Sequence, residues 1–437
     1  MREELIARLA GKGSLTPAAC FALLWTYFRH DKVDLAAAEG RVRAQWGHVL
    51  KLPPLGLSAL DELPALSGAA FDVLALQILK GLDALLNGGE FSDFENAILP
   101  GIDGEPYTLR GRNHFLASRS EVTWARRQGL SLAAYCSRFM AVPSYSMGGL
   151  RIESYSRSSW GNAYLHGRLD GERNRLKIML WPFQIPLDYP AFKDMKKKPP
   201  PLHVRLGAME NEPALQEEVR GAITEARKRE VTLLIFPELS IPPDTETVIE
   251  QTLVEQGVDG YPVLTLFGRS HRRNSTSDRD LNEAVLLGPD GSRFPKPPPH
   301  RKLVPFTDYS EGEEYPCGEN LETGQTVTVL ECSLGNITPL ICIDLLNGTI
   351  QDVLGLSHGN LLTVPSLSPK TSAHQKAADT LQPRLLACTF VCNHWNDDPP
   401  SHRSTSFYQL PVGRRFHIQP GATKAAPPYL LFDLAEA

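Results

Sequence analysis

The sequence predicts an α/β layered domain in the C-terminal part of the chain, preceded by a mainly helical region. Three observations carry this. Residues 1 to about 140 show helical spacing of apolar side chains. From residue 202 onward, short apolar runs alternate with helical patterns, as in layered α/β domains. Between the two lies a stretch of different texture that ends in Lys196-Lys197-Lys198-Pro199-Pro200-Pro201.

In the first region Phe71, Leu74, Ile78, Leu82 and Leu85 recur at three and four residues, which puts them on one helical face. Gly88-Gly89 supplies a stop signal. Thr16-Pro17 reads as an N-cap followed by proline in the first turn. From Arg151 to about Pro186 aromatic and aliphatic residues alternate with polar ones, which favours strands. The Lys/Pro run then breaks regular structure, because prolines lack amide donors and the lysines repel one another. The domains expected are therefore 1–150, helical; 151–201, a strand-containing connector and linker; and 202–437.

Within 202–437, strands are expected at 203–209, 231–236, 262–267, 284–287, 337–343, 361–364 and 389–392. Helices are expected at 213–230 and near 375–386. The run Val231–Phe236 is continuously apolar, as in a strand covered on both faces.

Composition narrows the function classes. The chain has 437 residues, 42% apolar, and a formal net charge of −5. That is ordinary globular composition with no general affinity for nucleic acid. A basic stretch holds Arg110, Arg112, Arg119, Arg126 and Arg127, with His114, Phe115 and Trp124 interleaved. It reads either as an anionic-partner surface or, in better accord with the acidic whole, as a solvated helical face. No stretch approaches the roughly 18 apolar residues of a membrane helix. The N-terminus has no signal-peptide pattern. Cys20, Cys136, Cys317, Cys332, Cys342, Cys388 and Cys392 form no CxxC pair, so reduced thiols in a cytoplasmic setting are expected, without a zinc site. Cys388 and Cys392 read as small core residues.

Three segments place a reactive residue at the end of an apolar run. Phe236-Pro237-Glu238 sets a carboxylate after a buried strand, where desolvation suits it to move protons. Alone, it equally describes a strand-end acid or a helix cap. His300-Arg301-Lys302-Leu303 offers an ammonium that could stabilise developing negative charge, or a solvated basic cluster. Ile341-Cys342-Ile343-Asp344 offers a strand-end nucleophile, or a structural thiol.

Taken together, the order Glu238, Lys302, Cys342 and their separations resemble the nitrilase, or carbon–nitrogen hydrolase, superfamily. Leu281–Gly291, Leu361–Pro365, Phe390–Asn393 and Ser406–Gly413 continue the resemblance, which covers about residues 202–434. Residues 1–200 show none. The resemblance implies an α-β-β-α sandwich and a Glu–Lys–Cys triad that cleaves a small amide or N-carbamoyl compound through a thioester. It implies oxyanion stabilisation by Lys302 and the Ile343 N–H, no metal or organic cofactor, and a homo-oligomer. A second acid is expected after the lysine, with Asp308 and Glu311 both candidates. His394, beside Trp395, is a candidate pocket residue or a packing residue. Ile343 and Asp344 depart from the Trp-Glu of nitrile-hydrolysing members, which disfavours nitriles and makes Asp344 a residue that orients backbone. An alternative reading is an oligomerising or effector module working with a partner, as in bacterial defence.

Overall fold

The computed structural model describes residues 1–10, 15–29, 35–46, 53–86, 97–111, 136, 139–144, 146–157, 159–187, 202–203, 205–308, 317–357, 359–385, 387–394, 405–410, 415–417 and 429–434. Gly88-Gly89, the basic stretch from Arg112 to Arg127, the Lys/Pro run, Glu311 and Trp395 lie outside them.

The first region contains helices α1 (Arg2–Ala10), α2 (Pro17–Arg29), α3 (Leu35–Trp46) and α4 (Gly68–Leu85), with a 3-10 helix at Leu57–Ala65. Thr16 caps α2: its hydroxyl accepts the Ala19 N–H at 3.2 Å. On α4, Phe71, Leu74, Ile78 and Leu82 are buried, whereas Leu85, at the last turn, is exposed. The region is not helical alone. Strands β1 (Ile98–Pro100), β2 (Pro106–Gly111) and β3 (Phe139–Pro143) form an antiparallel sheet. Leu99, Leu109 and Met140 of that sheet share one core with Phe21, Trp25 and Phe71.

The rest is built on strands β4 (Arg151–Tyr155), β5 (Lys177–Leu180), β6 (Leu233–Ile235), β7 (Leu264–Gly268), β8 (Glu283–Leu287), β9 (His300–Arg301), β10 (Thr326–Cys332), β11 (Gly335–Pro339), β12 (Leu361–Ser366), β13 (Cys388–Asn393), β14 (Phe407–Gln409), β15 (Arg415–His417) and β16 (Leu430–Asp433). One six-stranded sheet has the order β9-β8-β7-β6-β5-β16 and one seven-stranded sheet the order β15-β14-β13-β12-β11-β10-β4. In the first, β5, β6 and β7 are parallel. In the second, β11, β12 and β13 are parallel.

The helices are α5 (Ala163–Glu172), α6 (Glu212–Lys228), α7 (Pro243–Gln256), α8 (Gly348–Leu356) and α9 (Ser372–Leu385). The buried clusters define four layers. Ile178, Leu233 and Leu264 of one sheet meet Leu330, Leu361 and Phe390 of the other. Met179, Leu234 and Phe267, which alternate with them, pack under Leu215, Val219, Ile249 and Leu253 of α6 and α7. Leu362, Val364 and Val391 pack under Ile350, Val353, Ala378 and Leu381 of α8 and α9. This is an α-β-β-α sandwich. Parallel strands covered on both faces explain why sequences such as Leu233–Ile235 do not alternate apolar with polar residues.

The sequence boundary at 202 is too late. β4 pairs with β10 through five residues and β5 lies between β6 and β16 inside its sheet. The connector strands therefore belong to the sandwich, which begins at Arg151. The expected strand at 203–209 is reduced to a pairing of Leu202–His203 with Cys317–Gly318, which in turn pairs with Thr307–Asp308.

Candidate active site

Glu238 and Cys342 both leave the ends of parallel strands, one from each sheet, and both lie at bends. Leu239, directly after Glu238, has φ 54°, and Cys342 itself has φ 44°. Left-handed backbone is costly for side-chain-bearing residues and is retained where the surroundings impose it. Close approach imposes the first bend. A Cβ on Gly268 would lie 2.5 Å from Glu238 Cα and 2.8 Å from the Pro237 oxygen, so only glycine lets β7 end there. The second bend turns β11 into a 3-10 helix, Cys342–Leu346.

The structure brings Glu238 and Lys302 together, with Lys302 Nζ donating to Glu238 Oε1 at 2.8 Å. Both are 2% exposed. Cys342, 7% exposed, lies within electrostatic reach of both. Its sulfur accepts the Ser366 hydroxyl at 3.4 Å. The Leu367 N–H donates to Glu238 Oε2 at 3.1 Å and also faces the Cys342 thiol, so one amide lies between acid and sulfur.

The lysine has a second carboxylate, and it is neither acid expected from the sequence. Lys302 Nζ donates to Glu319 Oε2 at 2.7 Å. Glu311 lies outside the described residues, and Asp308 is described only as strand backbone paired with Cys317. That short pairing brings Glu319 back beside the lysine. Its N–H donates to the Phe306 oxygen at 2.9 Å, and its carboxylate accepts the Phe306 N–H at 2.7 Å. Asn282, just before β8, bridges the two acids: its amide donates to Glu238 Oε1 at 2.9 Å and Glu319 Oε1 at 3.0 Å. Glu319 Oε1 is also bonded to His271 Nε2 at 3.0 Å.

Asp344 sits wholly buried beneath these groups. Its Oδ1 accepts the N–H groups of Leu303 and Val304 at 2.9 and 3.0 Å, and its Oδ2 accepts Ile341 N–H at 3.0 Å. One carboxylate thereby fastens the lysine loop to the cysteine bend. His300 Nε2 approaches the same carboxylate at 3.4 Å. Ile343 is the second residue of the 3-10 helix, in the first turn, where amides have no partner from the preceding turn. His394 is buried after β13, with its N–H on the Ser366 oxygen and its ring against Phe183.

Electrostatics follow from this packing. Burial opposes the Lys302 charge, but Glu238 and Glu319 outweigh it and raise its pKa above the ordinary lysine range. Burial would raise the Glu319 carboxyl; Lys302 and the His271 bond overcome that and hold it at about 2. Burial, and then Glu238, push the Cys342 thiol up, with Lys302 and Ser366 pulling the other way. The resting sulfur therefore carries its proton, and a base must remove it. The other described cysteines, Cys20, Cys136, Cys332, Cys388 and Cys392, are buried and unbridged. Cys332, Cys388 and Cys392 lie between the sheets.

Glu319, Asn282, His271 and Ser366 were not assigned roles from the sequence. Asn282 was legible as a polar residue opening a buried strand. Glu319 was hidden by its place 17 positions after Lys302.

Fold and site together define an α-β-β-α sandwich with a Glu–Lys–Cys cluster at its strand ends. No family model matches the chain, and no curated protein matches it. Among solved structures, it is similar to an amidase from Nesterenkonia sp., with 13% identity and a TM-score of 0.40, covering 59% of this chain and 89% of the amidase. It is similar to a glutamine-dependent NAD+ synthetase from Acinetobacter baumannii, with 14% identity and a TM-score of 0.41, covering 59% of this chain and 45% of the synthetase. Among the described residues, no helix is long and apolar enough to cross a membrane.

Proposed function

We propose that the chain is a carbon–nitrogen hydrolase that cleaves a small amide or N-carbamoyl compound through a thioester on Cys342. The observation that carries this is a buried acid–lysine pair at 2.8 Å beside a buried cysteine at a strained bend. A purely structural thiol needs neither neighbour.

In this reading Glu238 takes the thiol proton as the sulfur attacks the carbonyl carbon. Lys302 and the Ile343 N–H stabilise the oxygen that becomes negative. Glu238 then returns the proton to the departing nitrogen, and the C–N bond breaks. Water, deprotonated by Glu238, attacks the thioester and releases the acid and the thiol. Glu319 and Asn282 hold the lysine and the base in place. His394 ties its backbone to Ser366 and packs its ring on Phe183, which suits it to support the site from behind.

The same reading carries the expectation of a homo-oligomer formed through a helical face. Arg29 of α2 donates to the Gly355 oxygen on α8 at 3.3 Å, so the N-terminal region stands against one such face.

The test is mass spectrometry of the protein after exposure to a panel of small amides and N-carbamoyl compounds. An acyl adduct on Cys342, absent from Cys342→Ala and Cys342→Ser, is expected. Serine fails because its hydroxyl ionises far less readily than a thiol. Turnover that survives Cys342→Ala on a confirmed substrate would end this reading.

A further inference from the structure

His271 touches neither base nor nucleophile, yet its ring is held at both ends. Nδ1 accepts the Leu206 N–H at 2.9 Å. Nε2 lies 3.0 Å from Glu319 Oε1. A ring nitrogen that accepts an amide N–H carries no proton, so the ring proton sits on Nε2 and is donated to Glu319. The backbone repeats the tie, with His271 N–H on the Leu206 oxygen at 2.7 Å. The side chain is 1% exposed, so water does not compete for either contact.

Lys302 is balanced between two carboxylates, 2.8 Å from Glu238 and 2.7 Å from Glu319. Glu319 holds its side of that balance only while its own carboxylate is fixed. The Phe306 N–H fixes Oε2 together with the lysine, and Asn282 and His271 fix Oε1. Asn282 is also bonded to Glu238, so His271 is the donor on Oε1 that is independent of the base. Without it, Oε1 keeps only the Asn282 amide, and the carboxylate is held less firmly. The ammonium then shifts toward Glu238, and a more tightly paired carboxylate is a poorer acceptor for the thiol proton.

We propose that His271 is a positioning residue for this site, a singly protonated donor that keeps Glu319 on Lys302 and so leaves Glu238 able to take the Cys342 proton. This rests on the hydrolase reading and adds a residue to it.

Two substitutions separate positioning from mere structure. In His271→Asn the amide oxygen stands near the old Nδ1 and retains the Leu206 tie but falls short of Glu319. In His271→Gln the longer amide reaches Glu319. The readout is the rate of Cys342 alkylation by chloroacetamide across pH 6–9, followed by mass spectrometry, with a thermal melt beside it. The expected result is a rate near wild type in His271→Gln and a loss of about tenfold in His271→Asn, the size of one charge-assisted hydrogen bond. A wild-type rate in His271→Asn, or equal impairment of both variants, overturns the proposal. If either variant fails to fold, nitrogen NMR of histidine-labelled wild-type protein decides: a His271 ring with its proton on Nδ1 overturns it. Failure of the hydrolase reading looks different, since wild-type Cys342 would then react no faster than Cys388 or Cys392.

Discussion

Replacing Glu319 with glutamine keeps the shape of the side chain and removes its charge. Four donors converge on this carboxylate: His271 and Asn282 on Oε1, both at 3.0 Å, and Lys302 and Phe306 on Oε2, both at 2.7 Å. In glutamine one oxygen becomes an NH2 group. Whichever way the amide turns, two donors then face a donor. Removing one partner of a buried ion pair costs about 3–5 kcal/mol. The acid limb gives a second measure. Glu319 is held at about 2 against an ordinary 4.5, a difference worth about 3 kcal/mol. Because the folded pKa is the lower one, this stability is present in full above about pH 5 and is lost as the pH falls toward 2. Urea unfolding at pH 7 and pH 3 measures both. The expected outcome is a loss of about 3 kcal/mol at pH 7, a flatter acid limb, and slower Cys342 alkylation. A change under about 1 kcal/mol with the acid limb intact would refute the reasoning.

Gly268→Ala forces a methyl to within 2.5 Å of Glu238 Cα, so backbone must move; about 1–3 kcal/mol of stability and part of the Cys342 reactivity are expected to go. Thermal melts and alkylation rates unchanged from wild type would contradict that bend's role. His374, fully buried on α9, is pushed down to about 4 by burial. The unfolded chain binds a proton that the fold refuses, so stability is full above about pH 6.5 and falls as the pH drops toward 4. Urea unfolding at pH 7 and pH 5 is expected to show this fall in wild type and a shallower one in His374→Leu; equal slopes would remove His374 as the cause.

The parts of the fold legible in the sequence were those where one residue pattern has one physical use. Val231–Phe236 and Leu361–Val364 are apolar but for Thr232 and Thr363, because their strands are covered on both faces. The short strand Lys177–Leu180 has the same character, yet its neighbours in the sheet are Leu233–Ile235, after the Lys/Pro run, and Leu430–Asp433 near the other end of the chain. No local pattern reports a partner so distant. The sheet of the N-terminal region escaped for a related reason, since Phe139–Pro143 pairs with Pro106–Gly111 across a long separation. In the site, Glu238 and Cys342 were legible because each ends an apolar run, and Lys302 because it stands beside one. Asp344 was rightly read as an organiser of backbone. Glu319 was not found, because its place beside the lysine depends on a two-residue strand pairing, Cys317–Gly318 with Thr307–Asp308, that carries no periodicity.

The interior position of β5 bears on modularity. Recombination that joined foreign sequence at residue 202 would remove the strand that separates β6 from β16, and with it β4 from the edge of the other sheet. Two rows of unsatisfied backbone groups would open inside one layer, a template for pairing with other chains. A breakpoint between Pro143 and Arg151 crosses neither sheet of the sandwich. Exchange of the leading region is therefore compatible with an intact sandwich only at that earlier seam, some fifty residues before the Lys/Pro run that looks like the natural joint.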